Sequence, residues 1–402
     1  MQRGHLILSL GALLGVAVAA FLARGGFAGE GVNYFFGALL GGFAGYGLYH
    51  ASFGFTGAWR RLTRERRGAG LRAQVVLIGL TCAVTYLLIG YQDVTGWKMH
   101  PVTMPMGLMT AIGAFTFGVG MQLGGGCASG TLFTAGGGST RMAITLASFV
   151  LGSVWATAHI PEFWAKLPQM TGIANIRGTS LVTEFGPLGG LAVLAALLAV
   201  IWLGSVVVER RAHGALEPEL ATESLLAGKW SLRLGAVALV LVGIGCFVLF
   251  QRPWGVTAGF ALWGAKIFDA VGIDVADWTY WQGWRKGQLE ASVFANRTSV
   301  MNFGIIFGAM AAASLAGRFA PQWRLTARDI LTAVIGGLLM GYGARLAYGC
   351  NIGAFLGGIV SGSMHGWWWL VWGFAGSLLG TRFRAVLEMD PPLPRRNATI
   401  GT

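Results

Sequence analysis

Polar positions in this chain act as punctuation between long apolar blocks. Apolar runs of roughly 17 to 25 residues, each long enough to cross ~30 Å of hydrocarbon at ~1.5 Å per residue, fall at 4–23, 34–51, 73–91, 105–123, 141–158, 187–208, 231–250, 299–317, 329–346 and 366–381. They predict an all-α, polytopic membrane protein, with shorter apolar pieces between the spans. Two places break the pattern. "GGGCASG" at 124–130 sits where a span should still be running, and "AYGCNIG" at 347–353 repeats its core.

Composition agrees with this reading: of 402 residues, 54% are hydrophobic and only 11% charged, with a mean hydropathy of +0.62, so most of the chain belongs in a lipid bilayer. The net charge of +13 does not indicate nucleic acid, because the positives gather in short loops, notably "RRLTRERRGAGLR" at 60–72 and "ERRAHG" at 209–214. By the positive-inside rule these loops lie in the cytoplasm, which puts both termini on the cytoplasmic side of an inner (plasma) membrane. A second reading of the first block is a cleaved signal peptide, since Arg3 precedes it and "AVA" at 17–19 resembles a cleavage site. The expected organisation is an N-terminal helix (1–33), a first membrane repeat (34–208), a cytoplasmic linker (209–230), a second membrane repeat (231–382) and a cytoplasmic tail (383–402) holding Arg384, Arg395 and Arg396.

The chain aligns with itself. "GVGMQLGGGCASG" from Gly118 matches "GYGARLAYGCNIG" from Gly341 without gaps, so that Gly126, Cys127 and Gly130 meet Gly349, Cys350 and Gly353, while Gln122 meets Arg345. Upstream, "FGFT" at 53–56 matches "WGVT" at 254–257 in the same order. Loop charges make the block from Pro105 descend toward Cys127 and the block from Asp329 climb toward Cys350. Two inverted-topology repeats are therefore expected, an arrangement that creates a central site reachable from either side.

Close helix packing explains most of the 65 glycines, as in "GALLGG" at 37–42. It explains Gly124, Gly125 and Gly126 poorly, because each weakens a helix by about 1 kcal/mol relative to Ala. After each break only a short re-entrant half-helix fits, and broken helices are tolerated at membrane depth only where protein or a polar cavity satisfies the freed backbone groups. Their N-terminal amides and dipoles attract an anion, with Ser129, Thr131 and Asn351 as added donors. A cysteine stands at each break. A thiol is a soft, weak donor, suited to sulfur-bearing anions, and three uses fit Cys127 and Cys350: transient contacts for a passing sulfur anion, thiolates for exchange chemistry at helix N-termini, or small core residues. Cys82 and Cys246 have no counterpart in the other half and read as packing; no CxxC pair appears, so a secreted disulfide framework is not expected.

The twin G-C-x-x-G breaks at 126–130 and 349–353, with "PWGVTAGFALWG" at 253–264, resemble the YeeE/YedE sulfur-transport family. The resemblance implies an hourglass-like fold with inserted half-helices, and cysteines that relay thiosulfate through thiol hydrogen bonds, here Cys127 and Cys350 beside Gly126 and Gly349. The family's first-motif cysteine falls at Gly54, so a three-cysteine relay is incomplete and the cargo is thiosulfate or a related sulfur or selenium species.

Among other polar groups, Arg345 is expected to contact the anion or a carbonyl, Lys266 and Asp269 to form an ion pair, Arg141 and His365 to snorkel, and Trp367 to Trp369 to form an interfacial belt. No metal-site spacing and no nucleotide fingerprint appears, and no cofactor is expected. The function expected is transport of thiosulfate or a related sulfur anion. A membrane thiol oxidoreductase, or a structural subunit docking a soluble sulfur-carrier protein, are the alternatives.

Overall fold

The computed structural model describes residues 2–390; among them no strand forms, only isolated bridges pairing Met106 with Ile176 and Ser180 with Ser363. Arg395 and Arg396 of the expected tail lie outside the described residues. In chain order the main helices are α1 (Arg3–Ala23), α2 (Gly31–Ala51), the short α3 (Phe55–Arg60), α4 (Ala69–Gly90), α5 (Leu108–Gly124), the short α6 (Ala128–Gly136), α7 (Thr140–His159), α8 (Leu181–His213), α9 (Leu232–Phe250), α10 (Thr257–Ala270), α11 (Arg297–Leu315), α12 (Ala327–Leu346), α13 (a π-helical stretch Asn351–Leu356 running on as α-helix Gly357–Val360) and α14 (Met364–Val386). Every apolar block read from the sequence is a helix. Among the described residues eight helical segments are long and apolar enough to cross a membrane, and the chain is a multi-pass membrane protein. α2 and α14 are 21 and 23 residues long but diluted by glycine and polar residues.

Small residues set the helix spacing. A Cβ added to Gly41 would lie 2.4 Å from the Met301 carbonyl oxygen and one added to Gly308 1.9 Å from that of Gly42, so α2 and α11 touch backbone to backbone. In a bilayer, where apolar burial gives helices no net pull toward each other, such close van der Waals contact is what holds them.

The middle of the protein is a crossing of α5 and α12. A Cβ on Gly113 would sit 2.8 Å from the Gly343 carbonyl oxygen, and one on Gly120 2.9 Å from that of Gly336. As one helix advances the other retreats, so the pair is antiparallel. The contacts also exchange equivalent positions, because the self-alignment matches 113 with 336 and 120 with 343. Around this crossing α7 packs on α12 and α14 packs on α5, two contacts that the residue offset of the self-alignment relates.

The basic loop after α3 is tied down by one carboxylate. Glu209, fully buried near the end of α8, pairs with Arg72 at 2.7 Å and Arg67 at 3.3 Å and accepts from the amides of Gly68 and Glu217. A buried charge with this many donors is compensated.

Four expectations about single residues need correction. Trp369 is not at an interface but fully buried, since the helical turn points it to the opposite side from its neighbours. Lys266 makes no ion pair with Asp269; its ammonium donates to the carbonyls of Leu289 and Ala291 at 2.5 and 2.8 Å, oxygens left over by a loop. Arg141 does not snorkel but donates to the Gly124 and Leu123 carbonyls at 2.7 and 2.9 Å, closing the end of α5. His365 is buried against Ser363.

Candidate functional site

Helices in this protein begin in two ways. α7, α8, α9, α11, α12 and α14 start at Ser139, Ser180, Ser231, Asn296, Thr326 and Ser363, each of whose side chains accepts a first-turn amide, which satisfies donors that a helix start leaves orphaned. The four helices that follow a motif or break, like α1, α2, α4 and α5, start without such a cap. α3, α6, α10 and α13 start after Gly54, Cys127, Val256 and Cys350, and none of these side chains makes a capping bond. At α3, α6 and α10 no N-cap side chain occupies the first-turn amides.

Glycine geometry creates the two cysteine breaks. α5 ends on Gly125 at φ +90°, a left-handed conformation glycine adopts without steric cost. Cys127 then takes an extended backbone, φ −77° and ψ −172°, and α6 begins. In the second half Tyr348 is left-handed, Gly349 follows, and Cys350 is extended at φ −102° and ψ −166°. A side chain on Gly349 would place its Cβ 2.8 Å from the Ala354 nitrogen, so the turn needs glycine. The Cys127 sulfur lies 3.5 Å from the Ser129 hydroxyl, while the Thr131 amide and hydroxyl both donate to the Cys127 carbonyl, at 2.7 and 2.8 Å. The amides of Ile352 and Gly353 face the Cys350 sulfur.

The breaks lie together. Cys127 and Cys350 are 1% and 0% exposed, both are free thiols, and their side chains are close enough to interact electrostatically, as are those of Cys350 and Arg345. Neither faces lipid. Beside them Asn351 is fully buried and neither its side-chain nitrogen nor its oxygen has a hydrogen-bond partner among the described residues; the Thr56 hydroxyl and the Trp254 indole N–H are in the same position. Buried polar groups are rarely left unpaired, and a cluster of them marks a place built for water or an ion.

Gln122 and Arg345 play matching parts. The Gln122 side-chain amide donates to the Thr56 carbonyl at 3.2 Å and to the Ser377 hydroxyl at 2.8 Å; an Arg345 guanidinium nitrogen donates to the Thr257 hydroxyl at 2.6 Å. Thr56 and Thr257 are the aligned ends of the FGFT and WGVT motifs, so equivalent residues touch equivalent residues. Gly54, in extended conformation at φ −151°, faces open space: a Cβ built there meets no atom within 4 Å.

Aromatic rings pack around the half-helices. Phe355 of α13 stacks on Trp369 with centroids 6.1 Å apart and meets Phe55 edge-on at 5.7 Å, while Trp59 and Phe117 close on Trp369. The Trp369 indole donates to the Gly349 carbonyl at 3.3 Å, tying this cluster to the second break. Two cavities, of about 490 and 410 Å³, open at the start of α11 and at the start of α7 respectively, and neither is lined by a cysteine.

The sequence singled out both cysteines, Ser129, Asn351, Gln122 and Arg345, which the structure places at the two breaks or on the helices leading into them. It missed Thr257, Trp254 and Trp369; the first two stand inside the aligned WGVT motif, whereas nothing in "WWW" distinguishes a core indole from an interfacial one.

Paired, uncapped half-helix starts with interior cysteines define a multi-pass membrane protein organised around a polar break. The chain belongs to the family described as Sulphur transport, whose profile matches residues 50–379. It is similar to the "Probable transporter YedE" of Escherichia coli (strain K12), at 35% identity over 154 residues, an alignment covering 38% of this chain and 38% of that protein. It is also similar to the "Thiosulfate transporter TsuA" of Spirochaeta thermophila, at 27% identity over 82% of this chain and 93% of the relative, and to that of Escherichia coli (strain K12), at 24% over 82% and 88%. The YedE alignment thus spans little more than a third of that relative, and the TsuA alignments most of theirs.

Proposed function

We propose that the protein carries a small sulfur-containing anion, thiosulfate by preference, across the membrane past Cys127 and Cys350. One observation carries this reading: two buried cysteines from distant parts of the chain occupy the same position at two uncapped helix starts, and the half-helices they precede pack on each other. Amides of the first turns stabilise negative charge without a buried lysine. The thiols are weak donors matched to a polarizable sulfur, and Asn351 and Ser129 offer further polar contacts. Family membership and the TsuA likeness support the same cargo.

The halves serve as an inverted repeat in this reading. Support comes from the antiparallel crossing of α5 and α12 and from the matched contacts of Gln122 and Arg345. With the Arg60–Arg72 loop in the cytoplasm, the cavity at the start of α11 faces outward and the one at the start of α7 faces inward, and both termini are cytoplasmic. The aromatic cluster around Phe355 and Trp369 packs against α13 and the second break.

The test is uptake of radiolabelled thiosulfate by proteoliposomes. Intact protein accumulates label above protein-free vesicles, while Cys127→Ala and Cys350→Ala each lower the rate at least about tenfold, the equivalent of ~1.4 kcal/mol in the barrier. Unchanged uptake in both variants removes the cysteines from the path. Absence of uptake by the intact protein removes transport itself.

A further inference from the structure

On the face that carries the basic loop, three guanidinium groups converge on one carboxylate. Asp390 lies within electrostatic range of Arg384, Arg60 and Arg64, which come from α14, the end of α3 and the basic loop. Arg384 grips it with two nitrogens, at 2.9 and 2.5 Å, and Arg64 stands 3.4 Å away. The side chains of Arg384 and Asp390 are each only 8% exposed. Glu65, also within range of Arg60, is paired with Arg61 at 3.0 Å. Three positive charges thus share one monovalent anion, and Arg141 adds its repulsion of Arg384.

The carboxylate is delivered by a turn rather than by a helix. Beyond the end of α14, Glu388 takes φ +49°, a left-handed conformation that is costly for a residue with a Cβ, and the chain folds back to set Asp390 against Arg384. Arg328 of α12 steadies this turn through the Leu387 carbonyl at 2.8 Å, so only the Asp390 side chain has to swing for the pocket to open. Behind the pocket Arg384 donates to the Gln122 carbonyl at 2.7 Å, and Arg141 donates to those of Leu123 and Gly124. The last carbonyls of α5, just ahead of Cys127, are therefore held by guanidinium groups, one of them gripped by this carboxylate.

We propose that Arg60, Arg64 and Arg384 form a receptor for a small divalent oxyanion of the sulfate or phosphate type, and that Asp390 occupies it as a tethered competitor. A guanidinium fork fits two oxygens of a tetrahedral oxyanion as it fits a carboxylate, and a dianion answers more of the gathered charge than one carboxylate does. Tethering gives Asp390 a high effective concentration, which keeps the receptor shut until free anion builds up on that face. By loop charge that face is the cytoplasmic one, so the anion sensed is the one inside the cell. The receptor follows from the chemistry of the cluster and does not depend on what the protein carries.

Thermal unfolding of the full-length protein in detergent at pH 7, with sodium sulfate titrated against sodium chloride at matched ionic strength, tests this. The intact protein sets the background, because any other anion site responds alike in every variant. Sulfate, and not chloride, raises the melting temperature of Asp390→Asn beyond that background, as a ligand of the folded state must, while Asp390→Glu responds as the intact protein does. Arg64→Gln added to Asp390→Asn raises the half-stabilising sulfate concentration about tenfold, the loss of one charge-assisted contact. Asp390→Ala serves where the asparagine variant does not fold, and is expected to respond in the same way. Equal sulfate responses in the intact protein and the opened variant overturn the proposal, as does extra stabilisation that survives Arg64→Gln unchanged. Phosphatidylglycerol added to the micelles separates a lipid headgroup from a free anion: extra stabilisation by the lipid and none by sulfate overturns it as well.

Discussion

Two glycines show how differently the same residue type can be used. Gly349 sits where any Cβ would meet the Ala354 nitrogen at 2.8 Å and the Gly353 carbonyl carbon at 3.1 Å, both of them backbone atoms that cannot swing away. Gly349→Ala is therefore expected to cost about 1–3 kcal/mol and to loosen the start of α13. Gly54, whose added Cβ meets nothing and whose backbone is extended, should accept alanine or cysteine within about 0.5 kcal/mol. Unfolding titrations of the two variants side by side check both numbers; equal losses would mean the packing around Gly54 is tighter than described. The same contrast says what was readable in advance. "GCNIG" announced a break because glycine and cysteine there defeat a span, whereas the emptiness around Gly54 depends on side chains brought in from other helices and leaves no trace in the local sequence.

An inserted half-helix must also find partners for its last carbonyls, far from bulk water. α13 finds them on α4: the Tyr86 hydroxyl donates to the Ile359 carbonyl at 2.9 Å, the Thr85 hydroxyl to that of Val360 at 2.8 Å, and the Cys82 thiol lies 3.7 Å from the same Ile359 oxygen. Cys82, expected as plain packing, thus packs against the half-helix itself. Tyr86→Phe removes one buried hydrogen bond and is expected to destabilise by about 1 kcal/mol. Deuterium exchange should localise the loss, with faster exchange at 359–363 and none at 128–136; a uniform change across the protein would count against the assignment. At this scale the sequence was most informative. Apolar block length gave every spanning helix, because crossing hydrocarbon imposes a minimum length whatever the partners are. It could not give the pairing of α4 with α13, which is a matter of three-dimensional contact between segments some 275 residues apart.

Across the whole molecule, charge divides the two faces. On the side of the basic loop, Asp390 just beyond α14 is held by Arg384 at 2.9 Å and Arg64 at 3.4 Å, and Arg384 also donates to the Gln122 carbonyl at 2.7 Å. The hydrogen bonds from Arg384, and then the neighbouring guanidinium charges, keep the Asp390 carboxyl below its usual range, with burial opposing them. A carboxyl whose folded pKa is depressed contributes stability above the ordinary value of about 3.9, and that contribution is lost as pH falls through the depressed value. Asp390→Asn should accordingly lower thermal stability at pH 7 but not at strongly acidic pH, where the two proteins melt alike; a difference that persists in acid would point to lost packing. The contrast between faces was only partly legible: loop arginines announced themselves by clustering, but the arginines lining the cavity at the start of α11 are scattered from 252 to 345 and converge only through folding. Finally, the central glycine crossing has a mechanical meaning. Where Gly336 lies against Gly124 with no side chain between them, prying the helices apart would strip peptide from peptide along the molecule's midline, so this seam acts as a fixed spine and leaves motion to the short segments hung on either side of it.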